Sequence, residues 1–225
     1  MDEILRLSHV SKTFPGVRAL QDISFSLKRG EVHCLCGENG AGKSTLIKIL
    51  SGAHQPDEGG EIFFNGKAVS LTPYAALKMG IHTIYQEHIV FNALDVTENI
   101  FAGSEITRWG LQCRKEMRRQ TETVLRYLDS DLSPDMRMCD LTSAQQKIAE
   151  IAKALVFKSN VIVLDEPTAS FSSREIDTVL KIVRTVRDDG ISVIYISHHL
   201  DEVFAIGDRA TVLRDGQSVS MYPVA

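Results

Sequence analysis

The sequence predicts an α/β fold that combines a parallel sheet, an antiparallel β layer and a helical insert. Residues 161–164 form a continuously apolar, β-branched run that is typical of a strand covered on both faces, and residues 191–196 form a second strand-like run. Residues 1–85 alternate strand-like segments with turns, including the hairpin signal Asn65-Gly66. From about residue 87 to 155 the pattern becomes helical, and residues 117–128 have the spacing of an amphipathic helix.

Residues 37–45 fit the pattern G-x-x-x-x-G-K-[ST] and lie between a strand-like run at 31–36 and a helical run at 44–50. In such a loop the backbone N–H groups surround phosphates, Lys43 adds a positive charge, and the Ser44 hydroxyl can ligate Mg²⁺. The residues predicted to hold the phosphates are Gly37, Glu38, Asn39, Gly40, Ala41, Gly42, Lys43, Ser44 and Thr45. The pattern predicts that the chain binds a nucleoside triphosphate.

The buried run at residues 161–164 ends in two carboxylates, Asp165 and Glu166. Such a pair is costly at the tip of a buried strand, which favours a chemical role. Asp165 fits the role of holding Mg²⁺ through water, and Glu166 that of polarising the water that attacks the γ-phosphate. The second strand-like run, residues 191–196, is followed by Ser197 and His198. His198 is therefore predicted to lie at the same edge of the sheet, within reach of the γ-phosphate.

A third segment, residues 141–146, has the pattern of a helix start. Thr142 precedes Gln145 by three residues, which predicts a capping box. Ala144 would then lie in the first helical turn with a negative φ.

Taken in this order, these features resemble the ATP-binding-cassette (ABC) family, whose signature is written L-S-G-G-Q. The resemblance implies an α/β fold with a P-loop NTPase core of the ABC type, an antiparallel β subdomain and a helical insert. Residues 1–225 would form one nucleotide-binding domain. Its ATP-binding core would comprise residues 1–86 and 156–225, and its helical subdomain residues 87–155.

The resemblance also implies roles for individual residues, with ATP and Mg²⁺ as cofactors. The catalytic residues would be Glu166, His198, Gln86 and Lys43, and the metal would be held by Ser44, Gln86 and Asp165. Phe14 matches the aromatic residue on which adenine stacks. The signature, formed by Leu141, Thr142, Ser143, Ala144 and Gln145, would act on the nucleotide of a partner cassette.

Residues 14–20, 96–100, 150–155 and 195–203 are similar to the ATPases of bacterial monosaccharide importers of the ribose, galactose and xylose type. This implies ATP hydrolysis that drives uptake through an integral membrane permease, together with a second ABC cassette of the same or a different chain. A solute-binding protein would be an indirect partner, and it would choose the sugar with the permease. The chain would lie peripherally on the cytoplasmic face of the bacterial inner membrane.

Three departures from the family pattern leave alternatives open. Thr142 stands where Ser is usual, Ala144 stands where Gly is usual, and residues 169–173 differ from the usual loop after the acidic pair. A regulatory cassette with poor hydrolysis is one alternative, and a soluble ABC ATPase that remodels a macromolecule is another. A P-loop kinase is disfavoured because it would need neither the signature helix nor His198.

Composition is consistent with these expectations. A net charge of −4 gives no signal for nucleic acid, and residues 1–225 hold neither a run long enough for a membrane helix nor a signal-peptide pattern. The cysteines lack C-x-x-C spacing, which favours reduced, packed thiols. The basic cluster Arg114, Lys115, Arg118 and Arg119 is predicted to be a solvated helix face rather than a lipid contact. Trp109 and Tyr85 are predicted to be packing residues.

Overall fold

The computed structural model describes residues 2–87 and 89–224. The strands are β1 (Glu3–Phe14), β2 (Val17–Lys28), β3 (Val32–Cys36), β4 (Glu61–Phe64), β5 (Lys67–Val69), β6 (Ile81–Ile84), β7 (Thr107–Arg108), β8 (Leu111–Gln112), β9 (Val161–Asp165), β10 (Ser192–Ile196), β11 (Arg209–Arg214) and β12 (Gln217–Pro223). The α-helices are α1 (Lys43–Leu50), α2 (Pro73–Lys78), α3 (Val96–Phe101), α4 (Arg114–Tyr127), α5 (Ser143–Val156), α6 (Ser173–Asp188) and α7 (Leu200–Ile206).

The central sheet has the strand order β12-β11-β3-β10-β9-β6. Strands β11, β3, β10, β9 and β6 run parallel, and β12 adds an antiparallel edge. Because parallel strands end at the same edge, the segments that follow β3, β6, β9 and β10 come together. The sequence predicted β3, β9 and β10 correctly.

The central sheet is covered on both faces by separate hydrophobic cores. On β9, Ile162 and Leu164 enter the core shared with the helices, whereas Val161 and Val163 enter the core shared with α1 and the antiparallel sheet. Burial on both faces explains why these strands are continuously apolar rather than alternating.

The antiparallel layer has the strand order β2-β1-β4-β5, as predicted for the first part of the chain. Its β4–β5 hairpin turns at Asn65 and Gly66, which both have positive φ. Asparagine and glycine tolerate this conformation with little cost, so the turn has the residues its geometry requires.

Helices α3, α4 and α5 lie between β6 and β9, where the sequence predicts the helical subdomain. Helix α4 begins at Arg114, three residues before the predicted start of its amphipathic pattern. A short hairpin, β7–β8, precedes it and was not predicted. The packing role expected of Trp109 is wrong: this residue occupies the hairpin turn with φ 56°, and 93% of it is exposed. Tyr85 does pack against the core beside α1.

The three arginines of the predicted solvated face of α4 form ion pairs with acidic residues of the same chain. Arg114 pairs with Asp95 and Glu98, and Arg118 pairs with Asp135 and Glu122. Arg119 donates hydrogen bonds to both carboxylate oxygens of Glu116. These contacts favour the solvated-face interpretation, because the arginine charges already have partners within the chain.

Within residues 2–87 and 89–224, every helix is too short or too polar to span a bilayer. The four cysteines are free thiols, and Cys34 and Cys36 are buried on the same side of β3. Burial raises the pKa of both thiols, so they stay protonated packing groups.

Candidate nucleotide site

The predicted phosphate loop connects β3 to α1 at the edge of the central sheet. Gly42 is the N-cap of α1 with φ 105°, and a Cβ there would lie 2.7 Å from the Ala19 carbonyl oxygen. A Cβ on Gly37 would collide with the Leu213 carbonyl. These two positions therefore require glycine for steric reasons.

Lys43 begins α1, and its side chain folds back over the loop. Its Nζ donates hydrogen bonds to the carbonyl oxygens of Gly37 at 2.6 Å and Glu38 at 3.1 Å. The ammonium is thereby held inside the curve of the loop, with neutral partners that an anionic phosphate can replace.

A cleft of about 500 Å³ opens beside the loop. It is lined by Val17, Arg18, Ala19, Asn39, Gly40, Gly42, Lys43, Ser44, Thr45, Gln86, Asp165, Glu166, Asp215 and Gly216. The structure thus brings most of the predicted phosphate-binding residues together with Gln86 and the acidic pair. The cleft lining comes from five separate parts of the chain, within residues 17–19, 39–45, 86, 165–166 and 215–216.

The acidic pair lies at the tip of β9. Burial, and then the neighbouring charge of Glu166, raise the pKa of Asp165, while the charges of Lys43 and Lys147 oppose the rise. Glu166 has φ 43°, which is uncommon for a residue with a side chain. Its backbone N–H donates to the Ile196 carbonyl oxygen at 3.0 Å, so the strained conformation is fixed by the end of β10.

His198 follows β10 and contacts Glu166 across the gap between the two strand ends. Its Nδ1 lies 3.3 Å from Glu166 Oε1. About half of the His198 side chain is exposed, whereas Glu166 is mostly buried. The pair combines a fixed carboxylate with a more accessible imidazole, an arrangement suited to orienting water and moving a proton.

A buried carboxylate behind the site ties the two strand ends together. Glu202 of α7 is 4% exposed and accepts a hydrogen bond from Thr168 Oγ1 at 2.6 Å. It also accepts from Tyr195 OH and Ser197 Oγ, each at 2.8 Å. Burial and the Glu202 charge raise the pKa of Tyr195, which keeps its hydroxyl a donor. Glu202 therefore fixes both the segment after Glu166 and the segment before His198.

The cleft offers a donor set that suits Mg²⁺. Ser44, Gln86 and Asp165 supply a hydroxyl, an amide oxygen and a carboxylate, and hard oxygen ligands are those that Mg²⁺ prefers. Asp165 is held between carboxylate and ammonium charges, so a divalent cation beside it would relieve the repulsion from Glu166. The predicted metal residues fit the ion.

Several predicted residues do not line the cleft. Gly37 and Glu38 hold Lys43 through their carbonyls, and Ala41 is buried beneath the loop. Phe14 lies outside the lining, with its ring edge-on to His54 at 5.3 Å between centroids. The five signature residues also lie outside it.

The signature segment has the predicted local structure. Thr142 Oγ1 accepts from the Gln145 backbone N–H at 3.3 Å, and Gln145 Oε1 accepts from the Thr142 N–H at 2.9 Å. Ala144 is buried within α5, where its Cβ is tolerated. In the divergent loop after the acidic pair, Phe171 packs against the helical core and Ser172 is the N-cap of α6.

Sequence reasoning gave no role to Arg18, Asp215, Lys147 or Glu202. Arg18 and Asp215 line the cleft, and Glu202 supports it from behind. A buried glutamate one helical turn after His198 gives only a weak sequence signal, because acidic residues are also common in the first turn of a helix.

Comparison with known proteins decides the family. The model of the family described as "ABC transporter" matches residues 20–169, which include the phosphate loop, the signature segment and the acidic pair. The chain belongs to the ABC transporter family.

Curated relatives of this ABC chain include a ribose import ATP-binding protein of Streptomyces coelicolor, which is 47% identical over 225 residues. Another relative with that name, from Burkholderia ambifaria, is 47% identical over 227 residues. Both alignments cover 100% of this chain, but the chain spans only 43% and 45% of the two relatives.

Solved structures agree on the fold. A nucleotide-free ATP-binding cassette from an ABC transporter superposes with a TM-score of 0.90 at 27% identity, covering 100% of this chain and 92% of that one. A cassette in its ADP conformation gives 0.89 at 28% identity, covering 99% and 92%. The fold is therefore that of an ATP-binding cassette, as the sequence predicted.

Proposed function

We propose that this chain is an ATP-hydrolysing cassette that powers import of ribose or a related monosaccharide. The observation that carries the proposal is the cleft in which Lys43, Ser44, Gln86, Asp165 and Glu166 meet at the ends of parallel strands. The names of the relatives at 47% identity support the sugar-import part.

In this proposal the phosphate loop holds the triphosphate, with Lys43 exchanging its carbonyl partners for phosphate oxygens. Ser44, Asp165 and Gln86 would hold Mg²⁺, which supplies charge neutralisation on the phosphates. Glu166 orients the attacking water and accepts its proton, and His198 supports that carboxylate from the adjoining strand end. Phe14 would bind adenine by stacking.

The signature residues 141–145 would complete the nucleotide site of a second cassette, from the same or a different chain. This assignment is supported by their position outside the cleft of their own chain. An integral membrane permease would convert closure of the pair into transport, and a solute-binding protein would deliver the sugar. The assembly would lie on the cytoplasmic face of the bacterial inner membrane.

The test is hydrolysis by the wild-type protein and by Glu166→Gln, combined with affinity purification from membranes. We expect Mg·ATP hydrolysis that Glu166→Gln abolishes, and recovery of an integral membrane protein with the tagged chain. Hydrolysis without any membrane partner would favour the soluble remodelling alternative. Binding without hydrolysis in the membrane complex would favour a regulatory cassette.

A further inference from the structure

Lys147 is a buried cation that the proposed mechanism does not use. It lies on α5, five residues after the cap Thr142, and is 1% exposed. A charge is buried at a large cost unless it is paired and hydrogen-bonded. The contacts of Lys147 therefore indicate what the charge is for.

Those contacts lead to the segment that contains Gln86. Lys147 Nζ donates to the Tyr85 carbonyl oxygen at 2.7 Å and lies 2.8 Å from Glu150 Oε2. The other carboxylate oxygen of Glu150 accepts from the Ile89 backbone N–H at 3.3 Å. Two side chains one turn apart on α5 thus hold the backbone on both sides of Gln86.

The two ends of this connection belong to different proposed sites. Gln86 lines the cleft with Ser44 and Asp165, whereas α5 begins at the signature segment. A displacement of α5 would be passed to Gln86 through two hydrogen bonds to charged groups, which are stronger than hydrogen bonds between neutral groups. The Lys147 charge also lowers the pKa of Asp165 against the effect of burial, which places the ammonium near the cleft.

We propose that Lys147 and Glu150 are positioning residues that tie the Gln86 segment to the signature helix α5 and so hold Gln86 in its place in the cleft; we call this pair of contacts the strap. The inference rests on the proposed function, since it concerns the geometry for hydrolysis. It names the side chains through which the signature side of the chain controls its own nucleotide site.

Lys153 provides a matched control on the same helix. Its Nζ also donates to two backbone carbonyls, those of Asn99 and Ala102, each at 3.3 Å. Neither carbonyl belongs to the cleft or to the Gln86 segment. Lys153→Met therefore removes a comparable helix-to-backbone contact without removing either hydrogen bond to the Gln86 segment.

The first experiment is hydrogen exchange of the nucleotide-free full chain, followed in peptides that cover residues 84–91. Lys147→Met should speed exchange of this segment by about tenfold or more, the effect expected when hydrogen bonding to a charged group is lost. Lys153→Met should leave it unchanged. Equal exchange in Lys147→Met and wild type, or equal acceleration in both variants, would overturn the strap.

Lys147→Met leaves Glu150 without its ammonium and can lower folding yield. A second variant, Lys147→Met with Glu150→Gln, removes both charges of the pair together. It should show the same faster exchange of residues 84–91.

The second experiment measures Mg·ATP affinity and turnover in the same proteins. Both strap variants should lose about tenfold in turnover while their Kd stays within about twofold of wild type, since Gln86 acts beside the γ-phosphate. Faster exchange with unchanged turnover would contradict the positioning role. Absence of wild-type hydrolysis even where a second cassette is present would defeat the proposed function instead, and the exchange comparison would still decide whether the strap exists.

Discussion

The phosphate-loop end and the signature end of this chain are built in different ways. Around Lys43 the chain forms a cleft lined by residues from five separate segments, with the buried carboxylate of Glu202 behind it. Around Thr142 it forms a capped helix start whose residues line no part of that cleft. This difference supports the proposed division of roles, in which the first end would hold a nucleotide and the second would face a partner cassette.

The largest effect should come from the base at the cleft. Glu166→Gln should lower ATP turnover by about 100-fold or more, because the amide cannot accept the proton of the attacking water. Affinity for Mg·ATP should stay within about threefold, since the amide keeps the shape of the side chain. Single-turnover hydrolysis and a binding titration measure the two quantities.

The control for that change is Glu116→Gln, at a half-buried carboxylate of α4 that lies outside the cleft and pairs with Arg119. It should leave turnover at the wild-type rate. Wild-type turnover in Glu166→Gln would remove Glu166 from the role of base.

The second prediction concerns nucleotide affinity rather than the rate of hydrolysis. Lys43→Ala should weaken Mg·ATP binding roughly 10- to 100-fold, because a buried ammonium that contacts phosphate is lost. Lys48→Ala, at an exposed position of the same helix, should bind like wild type. Isothermal titration of the three proteins measures this, and equal affinities would show that the loop does not hold the phosphates through Lys43.

The third prediction concerns the stability of the fold, through a residue that lies in neither the cleft nor the signature segment. His33 is fully buried on β3, where its Nε2 lies 2.8 Å from Thr211 Oγ1. Burial lowers the pKa of His33 to about 4, although the nearby Glu31 carboxylate opposes the shift. The unfolded chain, with a histidine pKa of about 6.5, takes up the proton first.

Stability from neutral His33 is therefore fully present above about pH 6.5 and is lost as the pH falls toward about pH 4. The free energy of unfolding should fall by about 2 kcal/mol more in wild type than in His33→Gln between about pH 7.5 and about pH 5. Urea unfolding at the two pH values measures the difference. Parallel losses in the two proteins would contradict it.

The smallest effect concerns the cap at the signature end. Thr142→Ala should lower the free energy of unfolding by about 1 kcal/mol, whereas Thr142→Ser should keep most of it. Mg·ATP affinity at the chain's own cleft should not change. Thr72→Ala, which removes the cap of α2, should cost similar stability. Weakened nucleotide binding in Thr142→Ala alone would contradict the separation of the two ends.

Local sequence patterns predicted much of this structure. The phosphate loop, the Thr142 cap and the strands β9 and β10 each depend on residues within one segment, so their spacing carries the signal. Parallel strand order then brings Asp165, Glu166 and His198 to one edge. The meeting of the phosphate loop with the acidic pair could be predicted for that reason, whereas the parts of the cleft lined by Arg18 and Asp215 could not.

The supporting contacts could not be predicted, because they join distant parts of the chain. Lys147 meets the carbonyl of a residue 62 positions earlier, and Thr168 meets a carboxylate 34 positions later. Neither contact produces a periodic pattern in the sequence that could have revealed it. The prediction for Trp109 was wrong for another reason. Strands β7 and β8 have two residues each, which is too few to give a strand pattern that would place Trp109 in a hairpin turn.

The central claim is that the cleft at one end of the chain needs the signature end of a second cassette to hydrolyse ATP. The most direct test compares ATP turnover in fractions of different molecular mass. Protein separated by size and followed by light scattering is assayed, fraction by fraction, with saturating Mg·ATP. The account predicts that the monomer binds Mg·ATP without turning it over, and that turnover appears where a second cassette is present. Full turnover in a monomeric fraction would contradict the account, because the cleft would then be complete without a partner's signature end.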